Sequence, residues 1–359
     1  MTGYYYELKR DIEKYPDAWA YMVWGGRNTG KTYSALSYML ELGCRFVFVK
    51  RTIEDCKLII SGSGKIGTKI SSFGADFSPF KAINRDKGTQ ILPFSIYEGY
   101  IGGFWSCSES KPVGEPIGYL TPLSAVSKVK GFDLSECDFI IFDEFIPSPW
   151  EKINREEGKQ LLDLYMTIAR DREHRGRKPL KLVCLANPTQ VNCPVLQELE
   201  IADDASEMSL LGEEYRYKRG ILMHQLRMSK EFINTEEEMP AVKAMEGTAW
   251  RATTMGEGFA YNEMGMIKRV ALKGFRCCLH IIYRKQNWYL YEKEGLWYVC
   301  KSGNKPTDGT IDLNKDADIR KFYMDYVIDL KEEYIDGRVL FQTYTMYDVV
   351  INYKKFFKF

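Results

Sequence analysis

Two spaced glycines precede a lysine and a threonine near the start of the chain, in the stretch WGGRNTGKT at residues 24–32. The pattern is G-x-x-x-x-G-K-[ST], and its positions are occupied by Gly25, Gly26, Arg27, Asn28, Thr29, Gly30, Lys31 and Thr32. Glycines let the backbone curl so that N–H groups point at phosphate oxygens. Lys31 would reach the β- and γ-phosphates of ATP, and the Thr32 hydroxyl would ligate Mg²⁺. The alternative is a glycine turn with solvated polar residues.

An acidic pair follows further along the chain, in FIIFDEF at residues 139–145. Four apolar residues predict a strand that is buried on both faces, as in a parallel sheet covered by helices. Asp143 and Glu144 then emerge at its carboxyl end, where open α/β sheets bind ligands. Asp143 suits Mg²⁺ binding through a water molecule, and Glu144 suits a base that orients the attacking water. Without the glycine motif, the same pair would be read as a solvated strand end.

A third apolar stretch, KLVCLAN at residues 181–187, ends in an amide. The side chain of Asn187 can both donate and accept, so it could sense the γ-phosphate of ATP during catalysis. Pro188 follows directly, and an Asn-Pro pair also opens turns. Both interpretations stay open from the local sequence.

These residues need a sheet that brings strand ends together. The run Ala20–Trp24 predicts a short buried strand before the glycine motif, and Lys31–Leu42 predicts a helix that ends at Gly43. We expect the α/β fold of a P-loop ATPase of the ASCE type, with a mainly parallel sheet in which one strand separates the P-loop strand from the acidic strand. The glutamate beside Asp143 favours hydrolysis over phosphoryl transfer to a small substrate.

A helical pattern at residues 161–168 runs into a strongly basic segment. Its cationic residues are Arg170, Arg172, Arg175, Arg177, Lys178 and Lys181. Such a run is usually a solvated surface. Alternatively, one arginine could reach the γ-phosphate bound by a neighbouring subunit and stabilise the charge of the transition state.

The motifs GGRNTGKT, FVFVKRT, FIIFDEF, ARDRE and CLANP, in this order, resemble the DNA-encapsidation ATPases of small short-tailed phages, the Picovirinae type. The resemblance covers the first half of the chain. It implies an ATP-driven motor that moves double-stranded DNA into a preformed capsid. By position, it implies that Lys31 and Thr32 bind phosphates and Mg²⁺, that Asp143 binds Mg²⁺ and that Glu144 activates water.

The same resemblance implies further roles and partners. Arg170 matches the trans-acting arginine finger of the family, and Arg27 matches an arginine inside the P-loop. Lys50 and Arg51 match a basic pair after the second strand, whereas the next basic position of the family is Ile53 here. The implied partners are duplex DNA, further copies of the chain in a ring (a pentamer), the portal or connector protein of the capsid, and a structural packaging RNA. The implied location is the host cytoplasm, transiently at the portal vertex.

Composition bounds the class of protein. At 359 residues, 45% apolar and 28% charged, the chain can form two or three ordinary domains. No apolar run reaches membrane-spanning length, so we expect a cytosolic protein without a membrane partner. Nine cysteines without paired C-x-x-C spacing and only three histidines predict reduced thiols and no zinc site. A net charge of +1 neither supports nor excludes DNA binding.

Three domains are predicted: a P-loop ATPase domain at 1–199, a small helical linker domain at 200–252, and an α+β domain at 253–359. The last begins with three antiparallel strands in CCLHIIYRKQNWYLYEKEGLWYVC, followed by a helix. We interpret it as a vestigial RNase H-like nuclease fold without activity, because its first strand carries no aspartate. His280 is predicted to be a packed or edge residue. The remaining candidate acids are predicted to lie in loops or at a helix start: Asp308, Asp312, Asp316 and Asp318.

Several basic stretches could contact nucleic acid. The candidates for DNA are Lys50 with Arg51, residues 62–69 and residues 128–132, and each has the alternative of an ordinary solvated loop. The tail NYKKFFKF at 352–359 could contact RNA, or be a strand end that frays. Two other function classes stay open: another P-loop ATPase such as a helicase or partition protein, and a nucleic-acid-binding or nuclease protein in which ATP is only regulatory.

Overall fold

The computed structural model describes residues 5–60, 77–129, 131–148, 151, 154–172, 174–255, 259 and 265–357. The chain divides into two compact units: residues 1–199 with 208–261, and residues 200–207 with 262–359. The residues predicted to form a separate linker, 200–252, are thus shared between the two units. The candidate DNA loop at 62–69 lies outside the described residues.

In the described part of the chain, the first unit is built on a ten-stranded sheet. Its strands are β1 (Ala20–Trp24), β2 (Arg45–Lys50), β3 (Ile91–Tyr97), β4 (Ile101–Ser108), β5 (Lys111–Pro112), β6 (Gly118–Pro122), β7 (Cys137–Asp143), β8 (Lys181–Ala186), β9 (Tyr215–Lys218) and β10 (Ile221–Gln225). The strands β6-β2-β7-β8-β1-β10 are neighbours in that order and run parallel. The predicted α/β class with a mainly parallel sheet is therefore confirmed.

The centre of this sheet is apolar because it is covered on both faces. Every residue of β1 is buried, as are the four middle residues of β2 and of β7. Strand β8 lies between β1 and β7, as expected from the order of the motifs. Because these strands are parallel, β1, β7 and β8 all end at the same edge of the sheet.

The described helices from residue 8 to residue 254 are α1 (Leu8–Lys14), α2 (Lys31–Leu42), α3 (Ile53–Ile60), α4 (Lys81–Lys87), α5 (Val126–Val129), α6 (Glu157–Ala169), α7 (Pro194–Glu198), α8 (Ala202–Leu211), α9 (Lys230–Glu237), α10 (Pro240–Ala244) and α11 (Ala249–Thr254). All belong to the first unit except α8, which is divided between the two units. A 3-10 turn, Leu123–Ala125, precedes α5. Helix α2 has the predicted bounds, and Gly43 ends it with a φ of 62°. Helix α6 buries Leu161, Leu164 and Ile168 on one face, as their spacing predicted.

The segment 200–252, which was predicted to be a helical linker domain, contains two strands. β9 and β10 form an antiparallel pair around Gly220, whose φ of 72° suits glycine. Ile221, Leu222 and Met223 are buried, and β10 adds to the sheet parallel to β1. Burial of this apolar run outweighs the helix propensity of the charged residues around it.

The second unit contains a five-stranded sheet in the described residues. Its strands are β11 (Arg276–Tyr283), β12 (Gln286–Lys293), β13 (Leu296–Cys300), β14 (Thr310–Asp312) and β15 (Val339–Phe341). Its helices are α12 (Asp316–Phe322), a π-helical turn (Tyr323–Val327), α13 (Ile328–Ile335), α14 (Tyr344–Ile351) and α15 (Tyr353–Phe356). The predicted antiparallel order of β11, β12 and β13 is confirmed.

None of the described helices is both long and apolar enough to cross a membrane. All nine cysteines lie in the described ranges and are free thiols, and seven of them are buried.

Candidate functional site

The glycine-rich loop, residues 25–32, connects β1 to α2 and is held closely against its neighbours. Gly25 N donates to the carbonyl of Ala186 at 3.2 Å. A Cβ at Gly25 would lie 2.5 Å from Cβ of Leu226, so no larger residue fits there. Gly30 has a φ of 77° immediately before the helix, which is a conformation that glycine adopts without strain. Both motif glycines are therefore required by local geometry.

Lys31 points its ammonium group back into this loop. Its Nζ donates to the carbonyl oxygens of Gly25 at 2.9 Å and Gly26 at 2.7 Å, and to Oγ1 of Thr29 at 3.1 Å. Burial lowers the pKa of Lys31 from 10.5 to about 8, although the nearby Asp143 carboxylate acts in the opposite direction. A buried ammonium whose charge is disfavoured by burial is suited to an anionic partner.

Thr32 and Asp143 come from different elements and meet at the carboxyl edge of the sheet. Thr32 Oγ1, in the first turn of α2, donates to Oδ1 of Asp143 at 2.8 Å. Asp143 is the last residue of β7. A hydroxyl and a carboxylate at this distance form the oxygen donor set that Mg²⁺ prefers, often with water in the remaining positions.

Glu144 directly follows β7 and is exposed to solvent, with its φ at 60°. Its carboxylate contacts Nζ of Lys50 at 3.0 Å. Its backbone carbonyl accepts a hydrogen bond from Nη2 of Arg51 at 2.7 Å. A left-handed backbone is uncommon for a glutamate and costs energy, so the neighbouring basic residues hold Glu144 in a defined position.

Lys50 and Arg51 are turned toward the protein, which corrects their interpretation as DNA-contacting or solvated residues. Lys50 also contacts Oδ2 of Asp143 at 3.1 Å, and only 16% of its side chain is exposed. Although burial disfavours its charge, the carboxylates of Asp143 and Glu144 raise the pKa of Lys50 above its ordinary value. The sequence offered only a local signal, a lysine at the end of an apolar strand, and the structure adds that this strand is the neighbour of β7.

Arg51 extends the network to α6. Its Nη1 contacts Glu151 at 2.6 Å, and its Nε contacts Glu157 at 3.1 Å. Glu157 is 2% exposed in the first turn of α6. Burial raises the pKa of Glu157, although Arg51 lowers it in part. Neither glutamate was predicted to belong to the site, because acidic residues in loops and helix starts are common.

Asn187 lies in the site and also takes part in a turn. Its Oδ1 lies 3.3 Å from Nζ of Lys31, which brings the amide into the site. Its carbonyl accepts a hydrogen bond from Thr189 N at 2.9 Å, which closes a tight turn.

The convergent residues surround a cavity of about 410 Å³. Its lining includes Arg27, Asn28, Thr29, Gly30, Lys31, Thr32, Asp143, Glu144 and Asn187. The lining combines cationic side chains and the backbone of the glycine-rich loop with carboxylate, hydroxyl and amide oxygens. The donor set therefore fits a triphosphate accompanied by a divalent cation.

Arg170 lies elsewhere in the first unit. It follows the last residue of α6, is exposed, and does not line this cavity in the described structure. The next arginine, Arg172, is 2% exposed and donates to the carbonyls of Ser135 and Cys137 at 3.0 and 2.5 Å. Arg172 also pairs with Asp138. This member of the basic run is therefore a structural residue, although a solvated surface was the usual expectation.

The acids of the second unit do not converge. Asp308 accepts from the Tyr326 hydroxyl at 3.2 Å, and Asp318 accepts from the backbone N–H of Asp312 at 2.9 Å. Asp316 begins α12, and Asp312 ends β14 instead of lying in a loop. Among the described residues, no group of three His, Cys, Asp or Glu could hold a metal.

His280 is a packed residue of an inner strand of the second sheet, which is one of the two structural positions predicted for it. It lies in β11, where Nε2 contacts Oδ1 of Asn287 at 2.9 Å and the ring stacks on Tyr289 with centroids 4.7 Å apart. The tail forms the short helix α15, with Tyr353 fully buried and its ring 4.4 Å from that of Phe357. The strand end expected there is therefore wrong for 353–356. Lys128, in another candidate loop, pairs with Glu98 at 3.1 Å.

Solved structures of packaging motors share the fold of this chain. A chain of the bacteriophage Phi-29 viral genome packaging motor assembly is 16% identical, with a TM-score of 0.64 over 98% of this chain and 99% of that one. A chain of the Phi-28 gp11 DNA packaging motor is also 16% identical, with a TM-score of 0.55 over 98% of this chain and 96% of that one. Neither a protein-family model nor a curated protein sequence matches the chain.

Proposed function

We propose that this chain is an ATP-driven motor that moves double-stranded DNA into a preformed viral capsid. The observation that carries the proposal is the convergence of Lys31, Thr32, Asp143 and Glu144 at one edge of a parallel sheet. It occurs in a chain whose fold is similar, over 98% of its length, to that of a packaging-motor chain.

Nucleotide binding would be shared between the glycine-rich loop and the acidic strand end. Bound ATP with Mg²⁺ supplies the phosphoryl group that is transferred to water. Lys31 and the loop residues 25–30 would hold the phosphates, with Arg27 at the rim adding positive charge. Thr32 and Asp143 would hold the cation, Asp143 through water, because their oxygens already lie within 2.8 Å of each other.

Glu144 would orient the attacking water and accept its proton. Its carboxylate is exposed at the mouth of the cavity, so water can reach it. Lys50 and Arg51 hold its side chain and its carbonyl, which favours one position of the base. Asn187, within 3.3 Å of Lys31, is placed to sense the terminal phosphate.

Arg170 would act on the nucleotide of a neighbouring subunit. Arg172 anchors this segment to Cys137, the first residue of β7, whereas the cavity lies at Asp143, its last residue. The two ends of this seven-residue strand lie about 20 Å apart. Because its own cavity is at the opposite edge, an arginine at this place suits a finger in trans within a homo-oligomeric ring.

The remaining partners follow from the same proposal. The ring, a pentamer by family resemblance, would act at the portal vertex of a capsid in the host cytoplasm. It would have no membrane partner. The second unit would be a nuclease-like fold without activity that docks on the portal or connector, with a structural packaging RNA as a further partner. Contacts to duplex DNA would come from loops such as 128–132, because the Lys128 side chain is 51% exposed although it pairs with Glu98, whereas those of Lys50 and Arg51 are 16% and 10% exposed.

The test is ATP hydrolysis with Mg²⁺ by the purified chain, measured without nucleic acid, with linear duplex DNA and with single-stranded DNA. We expect turnover that duplex DNA stimulates more than single strands do, and that Lys31→Ala abolishes. Stimulation by single strands alone would favour a helicase. Equal turnover in all three conditions would favour an ATPase unrelated to DNA movement. Protection of duplex DNA from added nuclease by empty capsids would then test packaging directly.

A further inference from the structure

The chain that follows β10 runs back beside the glycine-rich loop before it forms α9, α10 and α11. Leu226 N donates to the carbonyl of Trp24 at 2.8 Å, and the Leu226 side chain occupies the space that a side chain on Gly25 would need. Arg251 of α11 pairs with Glu237 of α9 at 2.8 Å, with 19% of the arginine side chain exposed. Helices α9 and α11 are therefore braced against each other next to the loop.

Both of these helices reach the loop directly. The carbonyl of Thr254, the last residue of α11, accepts a hydrogen bond from Arg27 N at 2.9 Å. The carboxylate of Glu236, in α9, accepts one from Nδ2 of Asn28 at 3.2 Å. Since Arg27 and Asn28 are consecutive, the two helices hold the same part of the loop from two points.

Glu236 is unusual for a carboxylate because it is only 7% exposed. Among the described residues, the Asn28 amide is the one hydrogen-bonding partner of its carboxylate, and no cation pairs with it. Burying a carboxylate without a cation costs free energy, and one amide offsets only part of that cost. The stability of α9 alone therefore explains this glutamate poorly.

Asn28 needs an outside contact to define its position. Its φ is 61°, in the left-handed region that residues other than glycine seldom adopt. It lines the cavity that also contains Lys31. The backbone N–H groups of residues 28–31 donate to no acceptor among the described residues. The side chain of Asn28 is thus held by α9, while the backbone donors of the loop stay available for an anion.

We propose that Glu236 is a positioning residue for nucleotide binding, which acts through Asn28. It holds the loop in the shape that receives the phosphates before any nucleotide is present. The assignment rests on the proposed function, because that function supplies ATP at the loop. It adds an acidic residue from a distant helix to a site otherwise built from the glycine motif and the strand ends.

Steady-state hydrolysis of ATP with Mg²⁺ and duplex DNA by the full-length chain tests this role. Glu236→Ala should raise the KM for ATP about tenfold, the loss expected for one hydrogen bond to a charged group. The kcat should change by less than about twofold, because bound phosphates then hold the loop themselves. Glu236→Gln keeps an acceptor for the Asn28 amide and should restore a KM close to that of the parent.

The matched control is Glu238→Ala. Glu238 directly follows α9, and its side chain is exposed and pairs with Lys243 instead of the loop. This variant should keep the KM of the parent, because exposed ion pairs contribute little. Should Glu236→Ala fail to fold, Glu236→Met fills the same buried space without an acceptor and should show the same rise in KM.

A double-mutant cycle asks whether Glu236 acts through Asn28. Asn28→Ala should itself raise the KM, and adding Glu236→Ala should raise it no further. Effects that multiply would overturn the positioning role, since Glu236 would then act elsewhere. A merely structural role would reduce the folded fraction and so the apparent kcat, and it would leave the KM of the remaining enzyme unchanged.

The outcomes separate this role from the proposed function. An unchanged KM in Glu236→Ala, in a chain whose parent hydrolyses ATP, would overturn the role of Glu236 and leave the ATPase standing. A fall in kcat alone would have the same meaning. If the parent neither binds nor hydrolyses ATP, the proposed function fails, and the role of Glu236 fails with it.

Discussion

The carboxyl edge of the first sheet and the acid-bearing strand of the second unit contain the same residue types in different arrangements. In the first unit, Asp143 ends β7, and Thr32 and Lys50 reach its carboxylate from two other elements. In the second unit, Asp308 precedes β14 and Asp312 ends it, so their carboxylates lie at opposite ends of one short strand. Both regions are rich in acids, but only in the first do side chains from several elements meet at one carboxylate.

The difference teaches that strand direction decides whether acids form a site. Parallel strands end at one edge, so residues far apart in sequence are brought together there. In the second sheet, β11, β12 and β13 alternate in direction, so their ends are divided between two edges. The acid-bearing strand β14 does run parallel to β11, but β11 ends at Tyr283 and brings no acid to Asp312. Asp308, Asp312 and Asp318 accept hydrogen bonds from a local hydroxyl, a local amide and a backbone N–H, respectively.

Of the substitutions in the first unit, Arg170→Ala should have the largest effect. We expect turnover to fall about a thousandfold with ATP affinity within a few fold of the parent, because a trans finger stabilises only the transition state. Mixing this variant with Lys31→Ala should restore part of the DNA-stimulated activity, since some interfaces then pair an intact arginine with an intact loop. Arg175→Ala, an exposed arginine in the same segment, is the control and should behave like the parent. Zero recovery in mixed oligomers would place the arginine's action within one subunit.

Glu144→Gln should have the next largest effect. Turnover should fall at least about a hundredfold while ATP and Mg²⁺ still bind, because the base is lost and the charge-binding groups remain. The matched control is Glu136→Gln, which changes the exposed acid just before the other end of β7. Single-turnover hydrolysis and equilibrium binding measure the two quantities separately. Unchanged turnover would remove Glu144 from the site.

A smaller, graded effect is expected from pH. The pKa of Lys31 is lowered from 10.5 to about 8, so the free folded protein releases this proton earlier than the unfolded chain does. ATP affinity should therefore fall above pH 8, by at most about tenfold per pH unit, because phosphate binding needs the ammonium form. Relative to a Lys31→Met variant, stability should rise between pH 8 and 10.5, where only the unfolded chain keeps the proton.

Calorimetric titrations between pH 7 and 10 measure this affinity. Lys31→Arg provides the control, since a guanidinium stays charged throughout this range and its binding curve should be flat even if weaker. A parent affinity that does not change with pH would show that Lys31 keeps its proton in the free protein.

The second unit should show no nuclease activity at all. Full-length chain incubated with plasmid and Mn²⁺ should leave the DNA intact, because two-metal cleavage needs clustered carboxylates. Nicking that survives repurification and is lost in Asp308→Asn or Asp318→Asn would contradict the comparison. Chelated samples give the background.

Much of the first unit could be predicted because its signals are local and regular. The strand and helix around the glycine motif have the predicted bounds, and the acidic strand ends at Asp143 as expected. The residues of the motif then meet because glycine, a buried parallel strand and a helix start leave few arrangements. Asn187 lies beside them because it directly follows β8, which ends at the same edge of the sheet.

The missed parts depend on long-range contacts. Lys50 and Arg51 look like surface cations, and only the neighbouring acidic strand end explains their burial. Strands β9 and β10 lie in a charged, helix-prone segment, and pairing with β1 decides their conformation. Arg172 resembles the other members of its basic run until the carbonyls of Ser135 and Cys137 are seen around it.

The second unit is assembled from two stretches that are far apart along the chain, 200–207 and 262–359. Asp203 in the first stretch pairs with Lys301 at 2.9 Å and accepts from the backbone N–H of Thr345 at 3.3 Å. On the ribosome, all the described strands of the first sheet have been synthesised by Gln225, whereas the partners of Asp203 follow it by 98 and 142 residues. Cotranslational folding can therefore complete the first sheet before the second unit. A fragment that starts at 262 would lack part of its own fold.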